Sequence, residues 1–156
     1  MFATEARESF VGFGAPILAP TAGVVVVAVD GCVDHSARRS PFALVPYALG
    51  QAGRVREGGA RIAGNHVIIA SGTDRFVLLA HLRRGSVTVR AGERVSVGDE
   101  VGHCGNSGNS TEPHVHVQVT DSMDWRRAAG LPMSFRRPGA AGGVWIPEES
   151  EIVDAS

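Results

Sequence analysis

Short β-forming runs, each cut off by glycine or a turn cluster, most constrain what this chain can fold into. Residues 23–30 read GVVVVAVD, 66–70 read HVIIA, 75–82 read RFVLLAHL and 114–120 read HVHVQVT. Shorter apolar pieces at 16–19, 87–90, 94–97 and 100–104 lie among glycines. Valine and isoleucine are stiff at χ1 and suit a pleated surface, whereas glycine and proline punctuate. Many short strands at such spacing predict an all-β protein, an antiparallel β-sandwich or flattened barrel. Ser71-Gly72-Thr73-Asp74 separates two of the runs and has the composition of a hairpin turn. The unbroken valines of 23–30 predict a strand buried on both faces.

The remaining composition excludes several functions. The 156 residues suffice for one domain with a core, and 44% apolar against 20% charged argues against a disordered chain. A formal net charge of -1 gives no global field to attract nucleic acid or an anionic membrane. All 15 basic residues are arginine, so chemistry that needs a lysine amine, such as a Schiff base, is excluded. No apolar stretch is long enough for a membrane span, and MFATEARESF lacks the basic and apolar regions of a signal peptide. The compartment stays open. Cys32 and Cys104 read as half-buried thiols, and spacing alone does not say whether they pair. The arginine-rich segment 32–63 reads as a functional or partly helical insertion, with a short helix over 42–51. Residues 138–156 read as a flexible tail in which Val144-Trp145-Ile146 could dock on the body. A monomer is expected.

The histidines carry the chemical interest. On a strand over 114–120, alternation puts His114, His116 and Gln118 on one face and Val115, Val117 and Val119 on the core face. Two imidazoles about 7 Å apart along a strand can serve one metal-centred site, as two ligands or as a ligand and an acid/base group. Two surface histidines on a solvated face are the plain alternative. The preceding loop, GNSGNSTEP, is polar and glycine-rich and does not look like core. His81 ends its apolar run; His66 and His103 read as structural. Arg83-Arg84 reads as a solvated face, with carboxylate binding as the alternative.

Taken together, the sequence resembles the lysostaphin/LytM-type zinc metallopeptidases, the β-lytic family of peptidoglycan endopeptidases. The matching pieces are APILAPTAG at 15–23, GNHVII at 64–69, Ala80-His81-Leu82, and the stretch from Val89 through GNSGNSTEPHVH at 105–116. They cover about residues 11–120, interrupted by the insertion 32–63, and make a domain of 1–137. The resemblance implies a duplicated hybrid motif fold and cell-wall peptide substrates. It also implies Zn2+, with His116 as a ligand and with His81 and His114 as the flanking acid/base and stabilising groups. Family members usually act outside the cytoplasm.

One part of the family pattern is missing. The other two zinc ligands come from an H-x-x-x-D motif upstream of the opening strand, and this chain has no His or Asp before Asp30. Glu5 and Glu8 are the carboxylates there; Glu8, Asp34 and His35 are the candidate substitutes. The expectation is an incomplete zinc site in a chain whose ligand pair lay further upstream. The competing expectation is an inactive member that binds peptidoglycan or regulates an amidase. The stretch AGERVSVGDEVG also resembles lipoyl and biotinyl carrier domains, a reading that fails because those carriers need a lysine.

Overall fold

The structure is a computed structural model that describes residues 5–37, 58–136, 143–149 and 151–153. A five-stranded antiparallel sheet dominates it. Its strands are β2 (Gly23–Val29), β3 (Asn65–Ala70), β4 (Phe76–Leu82), β5 (Arg94–Val95) and β7 (His116–Thr120), in the spatial order β5-β2-β3-β4-β7. Strands β1 (Pro16–Leu18) and β6 (Glu100–His103) form a second, two-stranded sheet. A third pairs β8 (Phe135–Arg136) with β9 (Val144–Trp145). Among the described residues, helix is limited to a 3-10 turn, Arg7–Ser9, and one short helix, α1 (Gly59–Ala63). The fold is therefore mostly antiparallel β.

Each face of the large sheet has its own apolar cluster. Val25, Val67, Ile69, Leu79 and Leu82 pack with Ala19 and Val101, so this core lies between the large sheet and the β1–β6 pair. The opposite face carries Ile68, Leu78 and Ala80 with Val26, Val27 and Phe76, and α1 covers it in part through Ala63. Burial of the larger side chains in such a core stabilises by roughly 2 kcal/mol each.

Several sequence expectations need correction. Strand β2 is half-buried apart from Val25, because its second face is only partly covered. Residues 87–90 form no strand; Val87 and Val89 still pack on the core from an irregular segment. Strand β7 starts at His116, so His114 and Val115 belong to the approach. The β3–β4 turn is present, closed by the Ser71 N–H donating to the Arg75 carbonyl. The expected helix over 42–51 lies outside the described residues. Within 138–156, Val144–Trp145 pairs with Phe135–Arg136. Both cysteines are free; Cys104 is buried, and burial pushes its thiol pKa up.

The loop 105–110 differs most from its expected solvated character. Asn106, Ser107 and Ser110 are at most 1% exposed. The reason is physical: most of their polar side-chain atoms are used inside, the Asn106 amide oxygen being the exception. The Ser107 hydroxyl donates to the Leu82 carbonyl and accepts from the Asn65 N–H, and the Asn106 carboxamide donates to the His35 carbonyl. A polar loop can be buried when backbone groups receive its hydrogen bonds.

Candidate active site

Strand pairing carries His116 to the open face of the large sheet. Opposite residues of an antiparallel pair share a face, and His116 faces Ala80 while Gln118 faces Leu78. Val117 goes to the other side and joins the core, as alternation requires.

His81 reaches the same face by a different device. Simple alternation along β4 would send it to the core face with Leu79. Between the pairs Val67–Leu79 and Asn65–Leu82, however, β3 advances two residues while β4 advances three. That is a β-bulge, and His81 sits in it at φ 65°, in the left-handed region. A bulge re-aims side chains. A non-glycine residue held at such a φ costs of order 1 kcal/mol, which the surroundings must offset.

Those surroundings are hydrogen bonds. The His81 carbonyl accepts from the Gly105 N–H, and the Leu82 carbonyl accepts from both Asn65 and Ser107. Asn65, fully buried at the start of β3, uses its whole hydrogen-bonding capacity. Its oxygen accepts from the N–H groups of Gly31 and Cys32, and its nitrogen donates to the carbonyls of Cys32 and Leu82, all at 2.7–3.0 Å. Gly64, at φ 65°, lets the chain enter β3 hard against this loop; a Cβ there would lie 2.5 Å from the Gly108 nitrogen.

The three histidines expected to act together do meet. The ring centroids of His81 and His114 are 4.9 Å apart, and those of His81 and His116 are 6.2 Å apart. His81 Nδ1 lies 2.9 Å from the Ser107 carbonyl, and His114 Nδ1 lies 2.8 Å from the Glu112 carbonyl. A carbonyl only accepts, so in the neutral rings the hydrogen sits on Nδ1 and Nε2 keeps its lone pair. His81 is 7% exposed, and burial lowers its pKa to about 4, helped by its two imidazole neighbours and opposed by the Ser107 carbonyl. It is a neutral base at neutral pH. His116 Nε2 is 3.3 Å from the Gln118 amide oxygen.

The other candidates are elsewhere. Asp34 is buried, and its carboxylate accepts from the backbone N–H of Arg84 and Asn106. It fastens β4's exit to the loop as a clamp. Glu8 pairs with Arg7 at 2.8 Å and lines a separate cleft with Arg83 and Arg84. Glu5 bridges to Ala37 through the backbone, and His35 pairs through the backbone with Asn106. His66 is buried with Nδ1 on the Gly64 carbonyl, and His103 lies 3.3 Å from Glu100. Arg83 lies over the Phe13 ring. Asn65, Ser107 and Asp34 were not singled out as supports from the sequence; the Gly64-Asn65 pair opening a strand was the available signal.

The residues offered to a metal fall short of a closed site. The Nδ1 bonds of His81 and His114 are of the kind that orient imidazoles toward a cation. A catalytic zinc takes three protein ligands, and among the described residues no group of three or more His, Cys, Asp or Glu is arranged to hold one.

Comparison with known proteins agrees with this architecture. The model of peptidase family M23 matches residues 48–127. The chain is 32% identical over 92 residues to the peptidoglycan DD-endopeptidase ShyA of Vibrio cholerae, covering 58% of this chain and 21% of that protein. It is 27% identical over 140 residues to an uncharacterized metalloprotease of Haemophilus influenzae, covering 90% and 22%. It thus spans about a fifth of the length of these relatives. Among solved structures, the catalytic domain of lysostaphin from Staphylococcus simulans aligns with a TM-score of 0.50 at 20% identity, over 78% of this chain and 70% of that one. The solution structure of lysostaphin aligns with a TM-score of 0.51 at 22% identity, over 91% and 47%. These two likenesses concern the fold.

Proposed function

This chain belongs to peptidase family M23, and from that premise we propose that it is a zinc-dependent endopeptidase hydrolysing peptide bonds of bacterial cell-wall peptidoglycan. The observation that carries the reading is the convergence of His81, His114 and His116 on one face, two of them with Nε2 left free to take a proton. His81, neutral at neutral pH, would accept a proton from the attacking water at Nε2. His81 would then return that proton from Nε2 to the leaving amine, and His114, 4.9 Å away between centroids, would stabilise the developing oxyanion in its doubly protonated form, donating from Nε2. His116 is the ligand this chain offers to zinc, and among the described residues no group of three or more His, Cys, Asp or Glu stands ready to complete the site. Peptidoglycan as substrate is supported by the 32% identity to a peptidoglycan DD-endopeptidase.

The test is zinc content and cleavage together. The chain is dialysed against zinc and then a weak chelator, analysed for metal, and incubated with purified peptidoglycan. Zinc near one per chain, lost in His116→Ala, with new peptide amino termini released, is the result this reading requires, and it would mean that residues of this chain replace the absent His/Asp pair. Stoichiometric zinc retained by His116→Ala removes His116 as a ligand. A zinc-loaded chain that releases nothing removes the peptidase reading. The short donor set favours a second reading: an inactive module that binds peptidoglycan or regulates an amidase. Peptidoglycan binding without zinc or cleavage would establish that one.

A further inference from the structure

The imidazoles stand at one end of a neutral, largely apolar cleft. A hollow of about 330 Å³ lies between α1 and strands β4 and β7, bounded by His81 and His116 at one end and Trp125 at the other. A second hollow continues beyond Trp125 over Ile68 and Phe76 toward Met123. The two share Leu78, Gln118 and Trp125. Among the described residues, no carboxylate or guanidinium lines either hollow. A charged side chain entering there would leave water without a partner, which is strongly unfavourable.

Trp125 divides this cleft and is seated for the purpose. Its ring packs on Gly59 so closely that a Cβ there would lie 2.4 Å from the indole. Its ring also meets His66 edge-on, with centroids 6.0 Å apart and planes at 87°. Even so, Trp125 remains 44% exposed and Met123 43%. A positioned indole and a thioether held open to water over an apolar floor suit the capture of apolar surface. Gln118 supplies an amide in that floor for the polar backbone of an extended peptide.

We propose that this cleft receives an apolar, uncharged side chain of the bound peptide, and that Trp125 is the specificity-determining wall that admits it. This rests on the peptidase reading for its setting, but the cleft is tested by binding alone. In a Trp145→Phe background Trp125 is the one remaining tryptophan of the two in the chain. Capped tetra-alanine and its single-glutamate analogues are titrated in chelator while Trp125 fluorescence is read. Saturable binding of tetra-alanine is expected, with affinity about tenfold lower for at least one glutamate analogue. Calorimetry on Trp125→Ala should show that discrimination gone, and Trp125→Phe should restore much of it. Gly59→Ala, which pushes on the indole without touching the imidazoles, should also weaken it. Equal binding of all the peptides, no saturable binding of any, or unchanged discrimination in Trp125→Ala overturns the proposal. The same peptides incubated with zinc and followed by mass spectrometry separate the two ideas. Discriminating binding without hydrolysis sinks the peptidase reading and leaves the cleft. Hydrolysis without side-chain preference sinks the cleft and leaves the peptidase.

Discussion

Acidification should unfold this protein partly through His81, and the size of the effect follows from its burial. In the fold its pKa is about 4, against 6.5 for a free imidazole, because burial disfavours the imidazolium. Below about pH 6.5 the unfolded chain therefore takes up a proton that the folded chain refuses. The group's contribution to stability is whole above that pH and is lost as the pH falls toward about 4. Between roughly pH 7 and pH 5 the loss from this group alone is about 2 kcal/mol. For a domain of this size that corresponds to a fall in Tm of about 4–8 °C. The assay is urea denaturation at both pH values, in chelator, for the natural chain and for His81→Gln. Glutamine keeps an N–H that can donate to the Ser107 carbonyl but does not titrate. His66, whose pKa is also lowered by burial, acts in the same direction in both proteins and cancels in the comparison. The variant should lose about 2 kcal/mol less on acidification. Equal losses in the two proteins would falsify the claim that His81 is held neutral by its surroundings.

Four further outcomes are expected. Asn65→Ala should destabilise by about 3 kcal/mol or more, since it strips a partner from the buried Leu82 carbonyl and from the part-buried backbone bonds to Gly31 and Cys32, and urea midpoints will register it. Gly64→Ala should cost several kcal/mol, because it meets both a left-handed φ and the Gly108 nitrogen at 2.5 Å; a midpoint unchanged within error would show that the loop yields freely. Asp34→Ala should destabilise by about 2 kcal/mol by orphaning the N–H groups of Arg84 and Asn106, and faster amide exchange at those two positions is the local check. His81→Ala should leave zinc content unchanged and lower turnover by about 10²-fold or more, and unchanged kinetics would make His81 a packing residue.

The fold was largely legible because its strands obey a period of two. In β7 the valines and the His116/Gln118 pair alternate without interruption, and the sheet keeps that alternation. Residues 87–90 show the limit of the same reasoning. Val87 and Val89 alternate like a strand and are packed like one, yet the bond from the Thr88 N–H to the Val101 carbonyl of β6 does not extend into a ladder, and pairing is a property of the neighbour as much as of the sequence. The loop 105–110 fails for the opposite reason. Its serines and asparagines look solvated until the carbonyls of Leu82 and His35 are brought to them by other parts of the chain.

The site shows where local pattern stops being informative. Nothing in FVLLAHL says that its histidine leaves the alternation; a strand drawn with a ruler would bury His81 beside Leu79 and hold it away from His116. The extra residue in β4 turns it across to the other face, and that bulge is held by Asn65 and Ser107 on the Leu82 carbonyl one residue further on and by the Gly105 N–H on the His81 carbonyl. The resemblance to a family could place His81 at the site, because a motif carries the outcome of such geometry without its cause. The cause lies in two buried polar side chains 42 residues apart, with the Ser107 hydroxyl also accepting from the Asn65 N–H. Their geometry also fixes the tautomer of His81, since the carbonyl that takes its Nδ1 hydrogen belongs to Ser107 itself. Support, aim and protonation of the candidate base are thus one structural unit, and a change in any of the three residues should be felt in all three properties at once.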